Sequence, residues 1–105
     1  MGRYISSSGA VLATYREAGG SITAVANDRI VCTSGGFTVT LPASPVVNDS
    51  IQIIDATGVF GSSNVTVGRN GEKIQNLSEN LTLNINNTAI TLVYTGTSYG
   101  WLIVR

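Results

Sequence analysis

The sequence predicts an all-β fold, a small antiparallel sandwich or barrel of about eight short strands behind an extended N-terminal arm. Two observations carry this prediction. From residue 21 onward, short segments rich in Val, Ile, Thr and Tyr alternate with Gly, Asn, Asp, Ser and Pro, which is typical of strands and turns. No segment sustains the apolar spacing of three and four residues that marks an amphipathic helix.

Alternation of apolar and polar residues marks the individual strands. In the clearest of them Leu81, Leu83 and Ile85 share one face, and the residues between them are polar. Similar runs predict strands at 37–41, 65–69 and 90–95, and shorter ones at 30–33 and 51–54. Asn70-Gly71 stands between two strand-like segments and predicts a two-residue hairpin.

The last predicted strand is apolar on both faces. Either it lies in the middle of a sheet, or its outer face meets another subunit. We expect an oligomer interface here, formed by Tyr99, Trp101, Leu102, Ile103 and Val104.

The composition favours a protein that assembles. Charged residues make up 11% of the 105-residue chain, against roughly 25% in an ordinary soluble domain, and the net charge is zero. A weakly charged surface tends to associate, so we expect a homo-oligomer, with a soluble monomer as the alternative. Without a basic cluster, neither nucleic acid nor an anionic membrane is an expected partner.

The sequence offers little for catalysis. It has no histidine, a single cysteine (Cys32), and six carboxylates that mostly stand beside turn residues. Asp49 and Asp55 are the candidate ligands for a calcium ion, but the spaced pattern of a calcium loop is absent. We therefore expect no enzyme activity, no cofactor and no metal site. Glycan binding remains possible if Tyr94, Tyr99 and Trp101 stack on a sugar rather than fill the core.

Residues 1–20 are predicted to form an N-terminal arm or attachment segment, and residues 21–105 the β-domain. A frayed terminus is the alternative. The segment lacks the apolar core of a signal peptide, and no run approaches the ~20 residues that span a bilayer, so synthesis in a cytoplasm without export is expected. The expected partner-binding residues are Arg3, Tyr4, Ile5, Val11, Leu12, Tyr15 and Arg16.

Three runs resemble a module of phage tail-fibre, head-fibre and other virion proteins: FTVTLPASP at 37–45 with NDSI at 48–51, NVTVGRNGEKI at 64–74, and LTL at 81–83 followed by AITLVY at 89–94 and YGW at 99–101. The likeness covers roughly residues 22–105. It implies a β-rich unit that works as a homotrimer on the virion, and it carries over no active site.

Fibre proteins hold this module within a much longer chain. Here it follows about 20 residues, which favours a capsid decoration (cement) protein. Such a protein is expected to attach through its arm to other virion proteins, with the major capsid protein as the expected partner, after synthesis in the host bacterial cytoplasm. A tail-fibre, head-fibre or adaptor module and a receptor (carbohydrate)-binding module are the alternatives.

Overall fold

Nine short strands in two facing sheets make up residues 15–104, the part of the chain that this computed structural model describes. No helix occurs in that range, so the predicted all-β fold class is confirmed. The strands are β1 (Tyr15–Ala18), β2 (Ile22–Thr23), β3 (Arg29–Cys32), β4 (Thr38–Thr40), β5 (Ser50–Asp55), β6 (Val65–Gly68), β7 (Leu81–Leu83), β8 (Ala89–Tyr94) and β9 (Trp101–Val104).

The chain coils between the two sheets. The larger sheet has the strand order β1-β3-β5-β8-β9, and the smaller has the order β2-β4-β6-β7. After each of the first five strands the chain crosses to the other sheet, so every turn of the coil adds one strand to each sheet. Parallel strands need a crossover connection, and here the crossover is a strand of the facing sheet.

Strand pairing is therefore mixed rather than antiparallel throughout. β1, β3 and β5 are parallel, as are β2, β4 and β6. Only the pairs β5–β8, β6–β7 and β8–β9 are antiparallel. Side chains alternate across a strand in either arrangement, so the hydrophobic pattern alone does not distinguish the two.

The Asn70-Gly71 turn forms, but not as the predicted two-residue hairpin. Both residues have positive φ values, 49° and 92°, as such a turn requires. However, β6 ends at Gly68 and β7 begins at Leu81, so a long connection separates the paired strands. The Asn70 side chain instead donates a hydrogen bond to the Leu41 carbonyl, 2.9 Å away, and fixes this connection to the end of β4.

The inward residues of both sheets form one core. Trp101, Phe60 and Leu41 are among its largest fully buried side chains. The rings of Tyr94 and Trp101 lie 5.3 Å apart and tilted, a favourable aromatic arrangement. The rest of the buried apolar set is Ala18, Ala24, Ile30, Cys32, Val39, Ile51, Ile53, Val65, Val67, Ile74, Leu83, Ile90 and Leu92.

One charged group lies inside this apolar environment. Asp55 ends β5, the middle strand of the larger sheet, and is only 4% exposed. Its carboxylate accepts backbone N–H bonds from Gly58, Val59, Phe60 and Asn87 at 2.9–3.3 Å. Burial on its own raises the pKa of this carboxyl, but the four hydrogen bonds outweigh burial, and the pKa of Asp55 is lowered.

The β-domain begins earlier than predicted, because it includes residues assigned above to the arm. Tyr15–Ala18 form β1, which pairs with β3 at the edge of the larger sheet, and the Ala18 carbonyl accepts a hydrogen bond from Thr33. Arg3, Tyr4, Ile5, Val11 and Leu12 of the predicted arm lie outside the described residues.

We expect Asp55→Asn to lower the free energy of unfolding by about 3 kcal/mol at pH 7, because an amide oxygen leaves some of the four buried N–H groups without an acceptor. A carboxyl with a lowered folded pKa stabilises the protein above its unfolded pKa of about 3.9, and this contribution is lost as the pH falls through the folded pKa. Urea unfolding from pH 7 to pH 2 should therefore show an acid-induced loss that D55N reduces. Glu79→Gln removes an exposed carboxylate and serves as the control. If D55N and E79Q lose the same free energy of unfolding between pH 7 and pH 2, the prediction is contradicted.

Candidate interaction surface

The outer face of the larger sheet carries the side chains that alternate with the core residues. The strand registers place these side chains in three rows across the sheet. Three or more strands contribute to every row, so the surface is continuous. The rows are Tyr15, Arg29, Gln52, Thr91 and Val104; Glu17, Val31, Ile54 and Ala89; and Ser50, Val93 and Leu102.

Charge is confined to one side of this face. Glu17 and Arg29 lie on β1 and β3, whereas β5, β8 and β9 contribute no charged side chain to it. We name the part of this face that carries the apolar side chains the outer patch. Within it, the side chain of Val104 is 51% exposed. Ile54, Val93 and Leu102 are half-buried, and the polar pair Gln52–Thr91 lies among them. Uncharged, largely apolar surface on a sheet face is typical of interaction sites. The outer patch consists of Ile54, Ala89, Val93, Leu102 and Val104.

The predicted interface residues divide between the two faces of β9. Leu102 and Val104 lie on the outer patch, while Ile103 faces inward. Trp101 is fully buried in the core, so the expectation that it lies at an interface is not met; its inward orientation follows from the alternation along the strand. Tyr99, in the turn between β8 and β9, is 57% exposed.

β9 is the last strand of its sheet, so the alternative of a central strand does not explain its two apolar faces. Its edge, however, is closed. Trp101 donates to the Lys73 carbonyl and accepts from Gln75 N–H, and the Gln75 side chain accepts from Ile103 N–H at 2.8 Å. A Cβ at Gly100 would lie 2.0 Å from the Lys73 carbonyl oxygen, so only glycine permits this approach. The surface that β9 leaves accessible is therefore its outer face rather than its edge.

Two predicted arm residues fall within β1. Tyr15 is 58% exposed on the outer face. Arg16 forms an ion pair with Asp28 at 2.7 Å and also donates to the Thr23 carbonyl, which ties the edges of the two sheets together. Arg16 is thus engaged within its own chain.

The candidate metal ligands serve the backbone instead. Asp49 accepts a hydrogen bond from Val46 N–H, and Asp55 accepts the four bonds described above. Within residues 15–104, no group of three or more His, Cys, Asp or Glu side chains is placed to hold a metal ion. The same range contains no helix that could cross a membrane.

Two of the three aromatic residues considered for sugar stacking belong to the core. Tyr94 and Trp101 are buried, and the Tyr94 hydroxyl donates to Glu72 at 2.7 Å, which raises the pKa of Tyr94. Only Tyr99 remains on the surface.

Sequence analysis missed the β5 and β8 part of the outer patch. The adjacent apolar pair Ile53-Ile54 and the apolar Val93 beside Leu92 were the available signals, because neighbouring residues of a strand face opposite sides.

The chain matches no protein-family model, and no curated protein matches it significantly.

We expect Cys32 to be inert in the folded protein. Burial, with a smaller contribution from the Asp55 charge, raises the pKa of its thiol to about 11, and the side chain has no exposed surface. A thiol reagent at pH 8 should modify native protein at least about 100-fold more slowly than urea-unfolded protein, because modification requires unfolding. Val104→Cys provides an exposed thiol as positive control. Rapid labelling of Cys32 in native buffer would contradict the structure.

Proposed function

We propose that this chain is a bacteriophage virion structural protein, a capsid decoration (cement) protein that assembles as a homotrimer on the virion surface. The observation that carries the proposed self-association is the outer patch, which is apolar, uncharged and not covered by any other part of residues 15–104. The virion setting and the trimer rest on the sequence resemblance in residues 22–105.

A closed trimer accounts for the distribution of charge on the outer face. Three larger sheets facing a common axis bury Val93, Leu102 and Val104 from each copy, and keep Glu17 and Arg29 towards the rim. Interface centres are depleted of charge and rims are polar, as this arrangement requires. Closed rotational symmetry also leaves no patch exposed for further growth.

The segment before β1 supplies the attachment. It enters the sheet at Tyr15, on the exposed edge strand, and Arg3, Tyr4 and Ile5 lie far enough along the chain to contact a neighbouring virion protein such as the major capsid protein. An extended segment gains affinity by adding to an exposed sheet edge. Three segments acting together bind far more tightly than one.

A fibre or adaptor module would associate through the same outer patch. This alternative therefore differs from the proposal in where the protein lies on the virion, and not in how its copies assemble. Carbohydrate binding has less support, because Tyr94 and Trp101 are enclosed in the core and Tyr99 alone provides no stacking platform.

We expect light scattering coupled to size exclusion to give about three times the 10.9 kDa chain mass. Leu102→Glu should shift the protein to monomer, because desolvating an unpaired carboxylate costs more than about 3 kcal/mol, or about 100-fold in affinity. The matched control is Thr66→Glu, which places the same charge at a half-buried position on the outer face of the smaller sheet. A monomeric parent protein, or an L102E trimer that retains its native circular dichroism, would contradict the proposal.

Deleting residues 2–9 should leave the β-domain folded and trimeric, because residues 10–13 and every strand from β1 onward are kept. Cosedimentation with undecorated capsids should then fall by at least about 100-fold in apparent affinity, since the multivalent contacts are lost. Arg3→Ala combined with Tyr4→Ala is the conservative companion variant and should weaken binding less. Full retention on capsids by the deletion variant would contradict attachment through the segment.

A further inference from the structure

An apolar groove lies between β7 at the edge of the smaller sheet and β8 and β9 of the larger sheet. Its volume is about 320 Å³, and no charged side chain lines it. Ile85, at its mouth, is 70% exposed. The groove is therefore an open apolar site on the side of the molecule opposite β1. Its apolar lining is Leu81, Leu83, Ile85, Ala89, Ile90 and Ile103.

Among residues 15–104, nothing pairs with the outer backbone edge of β7, the strand beside the groove. Thr66 of β6 donates its N–H to the Phe37 carbonyl, so the backbone groups of Thr66 face β4. Thr82 lies opposite Thr66 in the antiparallel pair β6–β7, which makes this a non-hydrogen-bonded pair. The N–H and C=O groups of Thr82 consequently point away from β6. In contrast to the closed edge of β9, β7 can accept another strand.

The chain itself contains a segment of matching chemistry. The run AVLA at residues 10–13 is uncharged, like the groove, and Val11 and Leu12 are aliphatic side chains of a size that the groove accommodates. The run stands immediately before β1, which begins at Tyr15.

This run is too close to β1 to occupy the groove of its own chain. Val11 lies four residues before Tyr15 and reaches at most about 14 Å from it. β8, the strand of the larger sheet nearest to β1 that lines the groove, is three strand spacings or about 14 Å from β1, and β7 lies a further ~10 Å away in the facing sheet. Only the groove of another copy is within reach.

We propose that Val11 and Leu12 of one subunit dock in the groove of the next subunit and extend its smaller sheet by a strand along β7. The inference rests on the proposed homotrimer and deepens it. Each β1 edge then lies beside the β7 and β9 edges of the following copy, a head-to-tail contact that closes after three steps. Each groove is complete only with the partner's segment, and Arg3, Tyr4 and Ile5 stay available for the capsid.

Cross-linking between two single variants tests the exchange. Val11→Cys protein is mixed and refolded with Ile85→Cys protein, oxidised, quenched with a thiol reagent and analysed by mass spectrometry. We expect a disulfide-linked pair containing one chain of each kind, at least about 10-fold more abundant than the pair that V11C forms with Val25→Cys, because docking raises the effective concentration of the two thiols. Val25 is 59% exposed and lies outside the groove.

The double variant V11C/I85C separates exchange between copies from docking within one chain. Exchange should give covalent dimers and trimers on a non-reducing gel. A single-chain species with an internal disulfide would overturn the proposal, as would equal cross-linking to V25C. If the protein is trimeric without the specific cross-link, the exchange fails and the proposed assembly stands; a monomer overturns both.

Ile85→Asp provides a second measurement that does not depend on oxidation. The side chain is exposed, so the subunit should fold normally, but its charge should raise the trimer dissociation constant at least about 10-fold. Val25→Asp is the matched control. An unchanged dissociation constant for I85D would overturn the proposal.

Discussion

The buried carboxylate of Asp55 fixes the two connections through which the chain passes from one sheet to the other. It ends the middle strand of the larger sheet, and its hydrogen bonds reach Gly58, Val59 and Phe60, where the chain leaves for the smaller sheet. The fourth bond comes from Asn87, where the chain returns to begin β8. One carboxylate thus fixes both connections between the sheets and positions the buried Phe60 ring. Without these hydrogen bonds, a charge buried at this site would be strongly destabilising.

The coil that Asp55 secures has two different outer faces. The smaller sheet presents Thr38, Thr66 and Thr82 in one row, polar hydroxyls that suit solvent. The larger sheet presents the outer patch, where aliphatic side chains lie beside the polar Ser50, Gln52 and Thr91. In a chain with so few charges, hydroxyls keep the outer face of the smaller sheet hydrated. This asymmetry, more than overall hydrophobicity, supports the proposal that subunits meet through the larger sheet.

Sequence reasoning recovered the features that depend on local alternation. Leu81 and Leu83, Val65 and Val67, and the turn at Asn70-Gly71 all occur where the pattern put them. It did not recover the parallel pairing of β1, β3 and β5, because the partners are far apart in sequence and alternate in the same way in parallel and antiparallel sheets. The inward orientation of Trp101 was not predicted for a related reason. Both faces of its strand are apolar, so the sequence does not indicate which face points into the core. Asp55 carried no signal at all, since a buried and an exposed aspartate next to a turn have the same local sequence.

The two edges on the far side of the molecule differ in the hydrogen bonds available to a partner strand. Within residues 15–104, the edge of β9 is closed by Lys73 and Gln75 and by the close approach at Gly100, whereas the edge of β7 is free at Thr82. An open edge would normally invite unlimited strand addition. In the proposed exchange, the segment that pairs with β7 departs from the opposite edge of the same sandwich, so each copy gives one strand and receives one. A head-to-tail contact of this kind forms either a filament or a ring. In the proposed assembly the outer patch favours the ring, because rotation about an axis that faces the larger sheets buries Val93, Leu102 and Val104 of every copy at once.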